Sequence, residues 1–346
     1  MKINKKFLIW IFATATLLVG IYFGYKYWSG KELRTLTNNV SLIDSGNYDQ
    51  AEKNLQSMIA SDPANARPYI LLAALLTEKL AQSHNVSIDS KAIIALLDSV
   101  DKIAPNSESK RLRATVALLL NQNFNAHKYA LESVAIDDNN AKAWAVLGLV
   151  AEKQNNFESA EKYYAASYKR DKSNVEALLG QARALWQLGK TTTAKAKAEE
   201  AIKVADKRLE KAKAYYTAGH FYSFEKDYAK AIPDLSKSVE LSPENYAALG
   251  ELANSLNLAY KFHIEGFVST STLAQALEHS VAAVKINPAY SYGYYFASQS
   301  LVMQGRNNEA KNYLTLALKY ATQTKASKTF IARINADLAN LNKKSK

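Results

Sequence analysis

The chain has 346 residues, with 44 Lys and Arg against 32 Asp and Glu and a formal net charge of +12. It contains no Cys, which excludes disulfides, thiolate metal sites and cysteine nucleophiles. With 48% apolar residues, 6 Pro and 12 Gly, it is long enough for two ordinary domains or one elongated array and suits a mostly helical fold.

Residues 1–30 read as a separate object. Lys2, Lys5 and Lys6 precede Phe7–Tyr25, which carries no charge. As a helix that run spans about 28 Å, close to the hydrocarbon thickness of a bilayer. Tyr22, Tyr25, Tyr27 and Trp28 gather at its far end, where amphipathic rings favour the membrane interface. Ala13-Thr14-Ala15 resembles a signal-peptidase site, but the apolar run continues well past it, which does not suit a cleaved leader. The expectation is a cytoplasmic head and a transmembrane signal anchor. The flanking charges place the remainder outside the cytoplasm, as in a single-pass protein of a bacterial inner membrane.

Beyond the anchor, an Ala–x3–bulky–x2–small pattern returns roughly every 34 residues, the mark of a helical solenoid. Eight units are expected, near 32–65, 66–106, 107–140, 141–174, 175–211, 212–245, 246–290 and 291–324. In the first, Gly46-Asn47 turns into Ala51, Leu55, Met58 and Pro63. The second has Tyr69, Ala73 and Leu76, then Leu97, Val100 and Pro105, separated by an overlong segment from Gln82 to Ser90. Ala114, Ala126, Ala130 and Ser133 hold the frame of the third. The fourth reads Trp144, Leu147, Gly148, a turn at Asn155-Asn156, then Ala160, Tyr164 and Ser167. The fifth has Leu178, Ala182, Leu185, Gly189, Ala194, Ala198 and Ala201. Tyr215, Gly219, Tyr222, Ala231, Leu235, Ser238 and Pro243 make the sixth. The seventh, with Leu249, Ala253, Ala276, Ser280, Ala283 and Pro288, carries extra residues around Lys261 to Thr272. The eighth has Tyr294, Ser298, Leu301, Ala310, Leu314 and Ala317. Residues 325–346 are expected to be a capping helix and basic tail, with Phe330, Ile331, Ile334, Leu338 and Leu341 at helical spacing.

These units resemble the tetratricopeptide repeat family, in which two antiparallel helices, A and B, make one repeat. The resemblance implies an all-α, right-handed solenoid of about eight helix pairs, preceded here by the transmembrane helix and closed by the capping helix. It also implies that the A helices line a concave groove that binds a protein or peptide. The inward places read Leu33, Leu36, Val40, Ile43, Arg111, Leu112, Leu118 and Leu119 in the first and third units. In the later units they supply the candidate partner-binding residues Arg183, Trp186, Gln187, Tyr216, His220, Phe224, Asn254, Asn257, Tyr292, Tyr295, Phe296 and Gln299. Rings mixed with amide, imidazole and guanidinium groups suit an adaptable peptide surface. The same rings could instead pack between repeats. The Lys/Asn/Lys pattern of the family's two-carboxylate clamp does not assemble here.

No chemistry of a catalytic kind emerges. His84, His127, His220, His263 and His279 do not pair with one another or with carboxylates at metal-ligand spacing, and no glycine-rich phosphate loop occurs. No cofactor or metal is implied, and an enzyme is not expected. Lys190–Lys213 is rich in Lys, but Glu199, Glu200, Asp206 and Glu210 are interleaved at helical spacing, which favours a solvated face over nucleic-acid binding. The diffuse positive charge suits anionic lipid headgroups near the anchor. The leading expectation is a membrane-anchored scaffold that assembles an envelope complex. Recognition of a glycan or cell-wall polymer, and a cytosol-facing receptor of the import type, are the alternatives.

Overall fold

Alanine recurring at the same register lets two helix backbones approach closely, while the bulky residue one turn later fills the gap to the next pair. The computed structural model describes residues 32–43, 45–82 and 90–344, and all regular structure among them is helical. The chain divides within one helix into two compact units, the first ending at Val146 and the second beginning at Leu147.

The first unit holds α1 (32–43), α2 (Tyr48–Ser61), α3 (Ala66–Gln82), α4 (Ser90–Ile103), α5 (Ser107–Leu119), α6 (Asn123–Ile136) and the start of α7 (Ala141–Lys153). Its core is built from Ala73, Leu80, Ile93, Leu97, Leu112 and Val116. Leu36, Leu112 and Leu118 are buried, while Leu33, Val40 and Leu119 are exposed. Arg111 donates two hydrogen bonds to Glu108 on its own helix.

The second unit continues with α8 (Phe157–Arg170), α9 (Val175–Gln187), α10 (Thr191–Val204), α11 (Arg208–Phe224), α12 (Tyr228–Leu241), α13 (Tyr246–Lys261), α14 (Thr270–Ile286), α15 (Ser291–Met303), α16 (Asn307–Gln323) and α17 (Lys328–Lys344). Each of α9, α11, α13 and α15 pairs with the helix that follows it, and the four also touch one another in sequence. Ala160, Ala194, Ala231, Ala276 and Ala310 are fully buried, as the close pairing requires.

The turns explain the regular spacing. After α7, α9, α11, α13 and α15 the chain enters the left-handed region at Asn155, Gly189, Lys226, His263 and Gly305. At the first of these, Asn156 N–H reaches back to the Ala151 carbonyl at 2.9 Å, satisfying a carbonyl that the helix end leaves open. Several of the opposite turns end in asparagine caps, whereas those before α11 and α15 end in Lys207 and Tyr290 without a side-chain cap. Asn174 Oδ1 accepts from Ala177 N–H at 3.0 Å, and Asn245 Oδ1 accepts from Ala247 and Ala248.

The extra residues after Tyr246 are absorbed by structure. α13 and α14 have 16 and 17 residues, against 13 in α15 and 14 in α8. Between them, Ile264 and Phe267 pack onto the core formed by Tyr228, Leu256 and Ala276. α17 buries Phe330, Ile334 and Leu341 on the last pair, beside Leu301, Leu314 and Ala317. The expected anchor Phe7–Tyr25, its basic head and the segment 83–89 lie outside the described residues. No helix among the described residues is long and apolar enough to cross a membrane.

Candidate functional site

All twelve candidate residues fall in the second unit, on the neighbouring helices α9, α11, α13 and α15. The structure sorts them into internal ties and accessible groups. Trp186 lies flat on Phe221, with ring centroids 4.3 Å apart and planes 1° from parallel, and meets Phe224 edge-on at 5.7 Å. Trp186 is half-buried, Gln187 is open to solvent, and Phe224 remains 71% exposed. Arg183 is engaged internally. Its Nε and Nη2 donate to both oxygens of Glu152 at 2.9 and 3.2 Å, and Tyr164 donates to the same carboxylate at 2.8 Å. Burial alone would lower the Arg183 pKa, but the Glu152 carboxylate outweighs it and holds the guanidinium above its usual value.

On α11, Tyr216 and His220 sit one turn apart with ring centroids 6.1 Å apart. His220 Nδ1 is buried without a hydrogen-bond partner, 3.7 Å from a Glu251 carboxylate oxygen. The Tyr216 phenol is pushed up to about 12, first by burial and then by the charge of Glu251.

Asn254 and Asn257 share α13 but not a role. Asn254 is half-buried. Asn257 is 1% exposed, donates to the Phe296 carbonyl at 2.9 Å and accepts from the Ser300 hydroxyl at 2.8 Å. It is a tie between α13 and α15 rather than a surface group, because both ends of its amide are spent inside the fold. Tyr295 is likewise buried: its hydroxyl donates to Asp337 of α17 at 2.9 Å, and its ring meets Phe330 edge-on. The capping helix covers the place that the repeat register marks as inward. Tyr292 stacks on Phe330 at 4.0 Å yet stays exposed on its other side, and Phe296 and Gln299 are half-buried. Gln299 also lines a cavity of about 370 Å³ between α13, α15 and α17, where Leu258, Val302 and Leu341 face Lys261, Asp337 and Asn340.

Several residues of this surface are not among the twelve. Phe221 carries the Trp186 stack, Phe330 the Tyr292 stack, and Tyr290 meets Tyr246 at 5.1 Å and Tyr292 at 6.2 Å. Glu251 stands sixth from Tyr246, one of the inward places of the register, so its position was readable. Tyr290 precedes α15 and Phe330 belongs to the cap, so no repeat register points to them. Among the described residues no group of three His, Cys, Asp or Glu is placed to hold a metal.

Models of the tetratricopeptide repeat match residues 126–175, 145–208 and 212–245. Within these residues the chain carries tetratricopeptide repeats. Six of the twelve residues, from Arg183 to Phe224, lie inside the matched repeats, and the six from Asn254 to Gln299 lie beyond them. The APC/C hetero-tetramer Cut9–Hcn1 superposes with a TM-score of 0.65 at 12% identity, covering 85% of this chain and 52% of that one. Yeast Tom70 gives 0.55 at 13%, with 86% and 59% covered. The human IFIT1 dimer with m7Gppp-AAAA gives 0.53 at 13%, with 86% and 74% covered. This chain thus spans about half to three fifths of the length of the first two. At such identities the likeness is one of fold: an all-helical, repeat-built solenoid. A comparison with curated protein sequences finds no match.

Proposed function

We propose that the chain is a protein-binding scaffold whose second unit takes a partner segment along α9, α11, α13 and α15. The observation that carries this reading is the run of partly exposed rings, Trp186, Phe224, Tyr216, Tyr292 and Phe296, interleaved with Gln187, His220, Asn254 and Gln299. Rings bury area at low entropy cost, and amides pair with peptide backbone. Each ring is braced by a neighbour, Trp186 by Phe221 and Tyr292 by Phe330, so the surface is preorganised and loses little on binding. Arg183, Asn257 and Tyr295 act in this reading as internal supports.

The uncharged run Phe7–Tyr25 supports a membrane anchor, with Lys2, Lys5 and Lys6 on the cytoplasmic side near anionic headgroups and the repeats outside the inner membrane. The scaffold would there assemble an envelope complex. Crosslinking capture from cells with the full chain, compared with a Trp186→Ala, Tyr292→Ala, Phe296→Ala variant, tests the binding surface. Loss of specific partners is expected; retention of all of them refutes the surface. Protease treatment of intact cells and of spheroplasts tests the orientation, with cleavage expected only once the outer barrier is opened. Binding of cell-wall polysaccharide without any captured protein would favour the glycan alternative.

A further inference from the structure

Within the scaffold reading, one carboxylate on this surface is unspent. Glu251 of α13 is 22% exposed, and the ion partner the fold offers it among the described residues is the His220 imidazole, 3.7 Å away and beyond hydrogen-bonding reach. By contrast, Glu152 pairs with Arg183, Glu200 with Lys197 and Glu309 with Arg306. The Glu251 charge acts on the phenols of Tyr216 and Tyr290, and Tyr246 packs against Tyr290, so rings from three places in the chain gather near it. Tyr216 comes from α11, Tyr246 opens α13, and Tyr290 caps α15.

Their positions are fixed. Tyr290 meets Tyr246 edge-on at 5.1 Å, and its hydroxyl rests on the α13 backbone at Gly250, beside Glu251, where a Cβ would come within 2.5 Å of it. Tyr216 is held against His220 on its own helix. The Glu251 charge is felt by both Tyr216 and Tyr290, and burial together with that charge keeps both phenols neutral well above neutral pH. Neutral phenol rings thus lie close to a carboxylate that is partly open to solvent, with the His220 imidazole 3.7 Å from it.

We infer that Tyr216, Tyr246, Tyr290 and Glu251 form a cage for a cationic side chain, the ammonium of a lysine or the guanidinium of an arginine on the partner segment. Aromatic faces attract a cation through their quadrupole, most strongly where water is thinned, and a carboxylate among them adds direct charge pairing. An acidic side chain brought to the same place meets Glu251 and is repelled. The site thus adds a charge requirement to a surface that otherwise reads rings and amides.

Saturation-transfer NMR on the full chain tests it, with N-acetyl-lysine methylamide as probe and the norleucine and glutamate analogues as its neutral and acidic counterparts. The expected result is saturable transfer to the lysine probe, about tenfold weaker for norleucine and absent for glutamate. Glu251→Gln should remove the preference of lysine over norleucine while leaving helical circular dichroism unchanged. Tyr216→Leu, which keeps the carboxylate and removes a wall, should weaken lysine binding several-fold and serves if the first variant misfolds. Equal binding of lysine and norleucine, preference for glutamate, or an unchanged lysine preference in both variants overturns the cage. The scaffold reading fails separately, when the Trp186→Ala, Tyr292→Ala, Phe296→Ala chain keeps every partner whatever the lysine probe does.

Discussion

Gly180 lacks a side chain because the Tyr164 ring occupies the space a Cβ would need. Gly148 bounds the other side of the same ring, where a Cβ would stand 2.7 Å from Tyr164 Cδ1. The ring is buried to 1% and pinned at its far end by the hydroxyl bond to Glu152, so it cannot swing aside. Gly180→Ala gains up to about 1 kcal/mol of helix propensity. Overpacking a closed core costs about 1–3 kcal/mol and exceeds that gain. The variant should therefore be destabilised in urea or thermal melts. Adding Tyr164→Leu to it should cost less than the sum of the two single changes, because the smaller side chain frees the slot.

Tyr164 also sets an alkaline limit. Its phenol is raised far above the ordinary value, first by burial and then by the Glu152 charge. The folded state therefore holds this proton after the unfolded chain has lost it near pH 10. Above that pH the unfolded state binds fewer protons, so stability is full below pH 10 and falls as pH rises, by up to about 1.4 kcal/mol per unit for this one group. Tyr295, pushed up to about 12 by burial and Asp337, steepens the fall. Melting temperature measured from pH 8 to 11 should drop, and Tyr164→Phe should make the drop shallower.

Asn254 and Asn257 allow a sharper comparison. Both sit on α13 a single turn apart, yet one is partly open and the other is spent on Phe296 and Ser300. Asn257→Ala breaks both bonds in a buried site, although the Ser300 hydroxyl still donates to the Phe296 carbonyl at 3.2 Å, and should cost about 1–3 kcal/mol. Asn254→Ala should shift stability by no more than about 0.5 kcal/mol, since it breaks no such tie. If the surface binds a peptide backbone, Asn254→Ala should instead weaken partner capture. Melts and capture with the two variants should give opposite orders.

These asparagines mark where sequence reading stops. The helical hairpins were legible because Ala160, Tyr164 and Ser167, and their counterparts near Ala231 and Ala310, repeat a period that only stacked pairs explain. The A-helix register also led to Trp186, Tyr216 and Tyr292, which the structure leaves accessible. It could not separate Asn254 from Asn257, because a register gives the face of a helix and not the depth of a side chain behind its neighbours. It failed at Tyr295 for a different reason: α17 covers that place, and its Phe330 and Asp337 obey no repeat spacing. Tyr290 was hidden because it precedes its helix rather than lying on it.

A second signal lay unused in the turns. Asn106, Asn140 and Asn174 recur at the repeat period, and each caps the helix that follows through its side-chain oxygen. Asn174 does more than cap α9: its Nδ2 donates to the hydroxyl of the fully buried Ser167 at 3.0 Å, tying the end of α8 to the start of α9. Asn174→Ala removes both interactions and should cost about 1–2 kcal/mol. Asn174→Asp keeps the acceptor and places a negative charge at a helix N-terminus, which recovers part of the loss, but it cannot donate to Ser167. The expected order of stability in urea melts is therefore Asn174, then Asp, then Ala. An Asp variant as stable as the parent would show that the bond to Ser167 contributes nothing, and an Asp variant no better than Ala would remove the cap from the account.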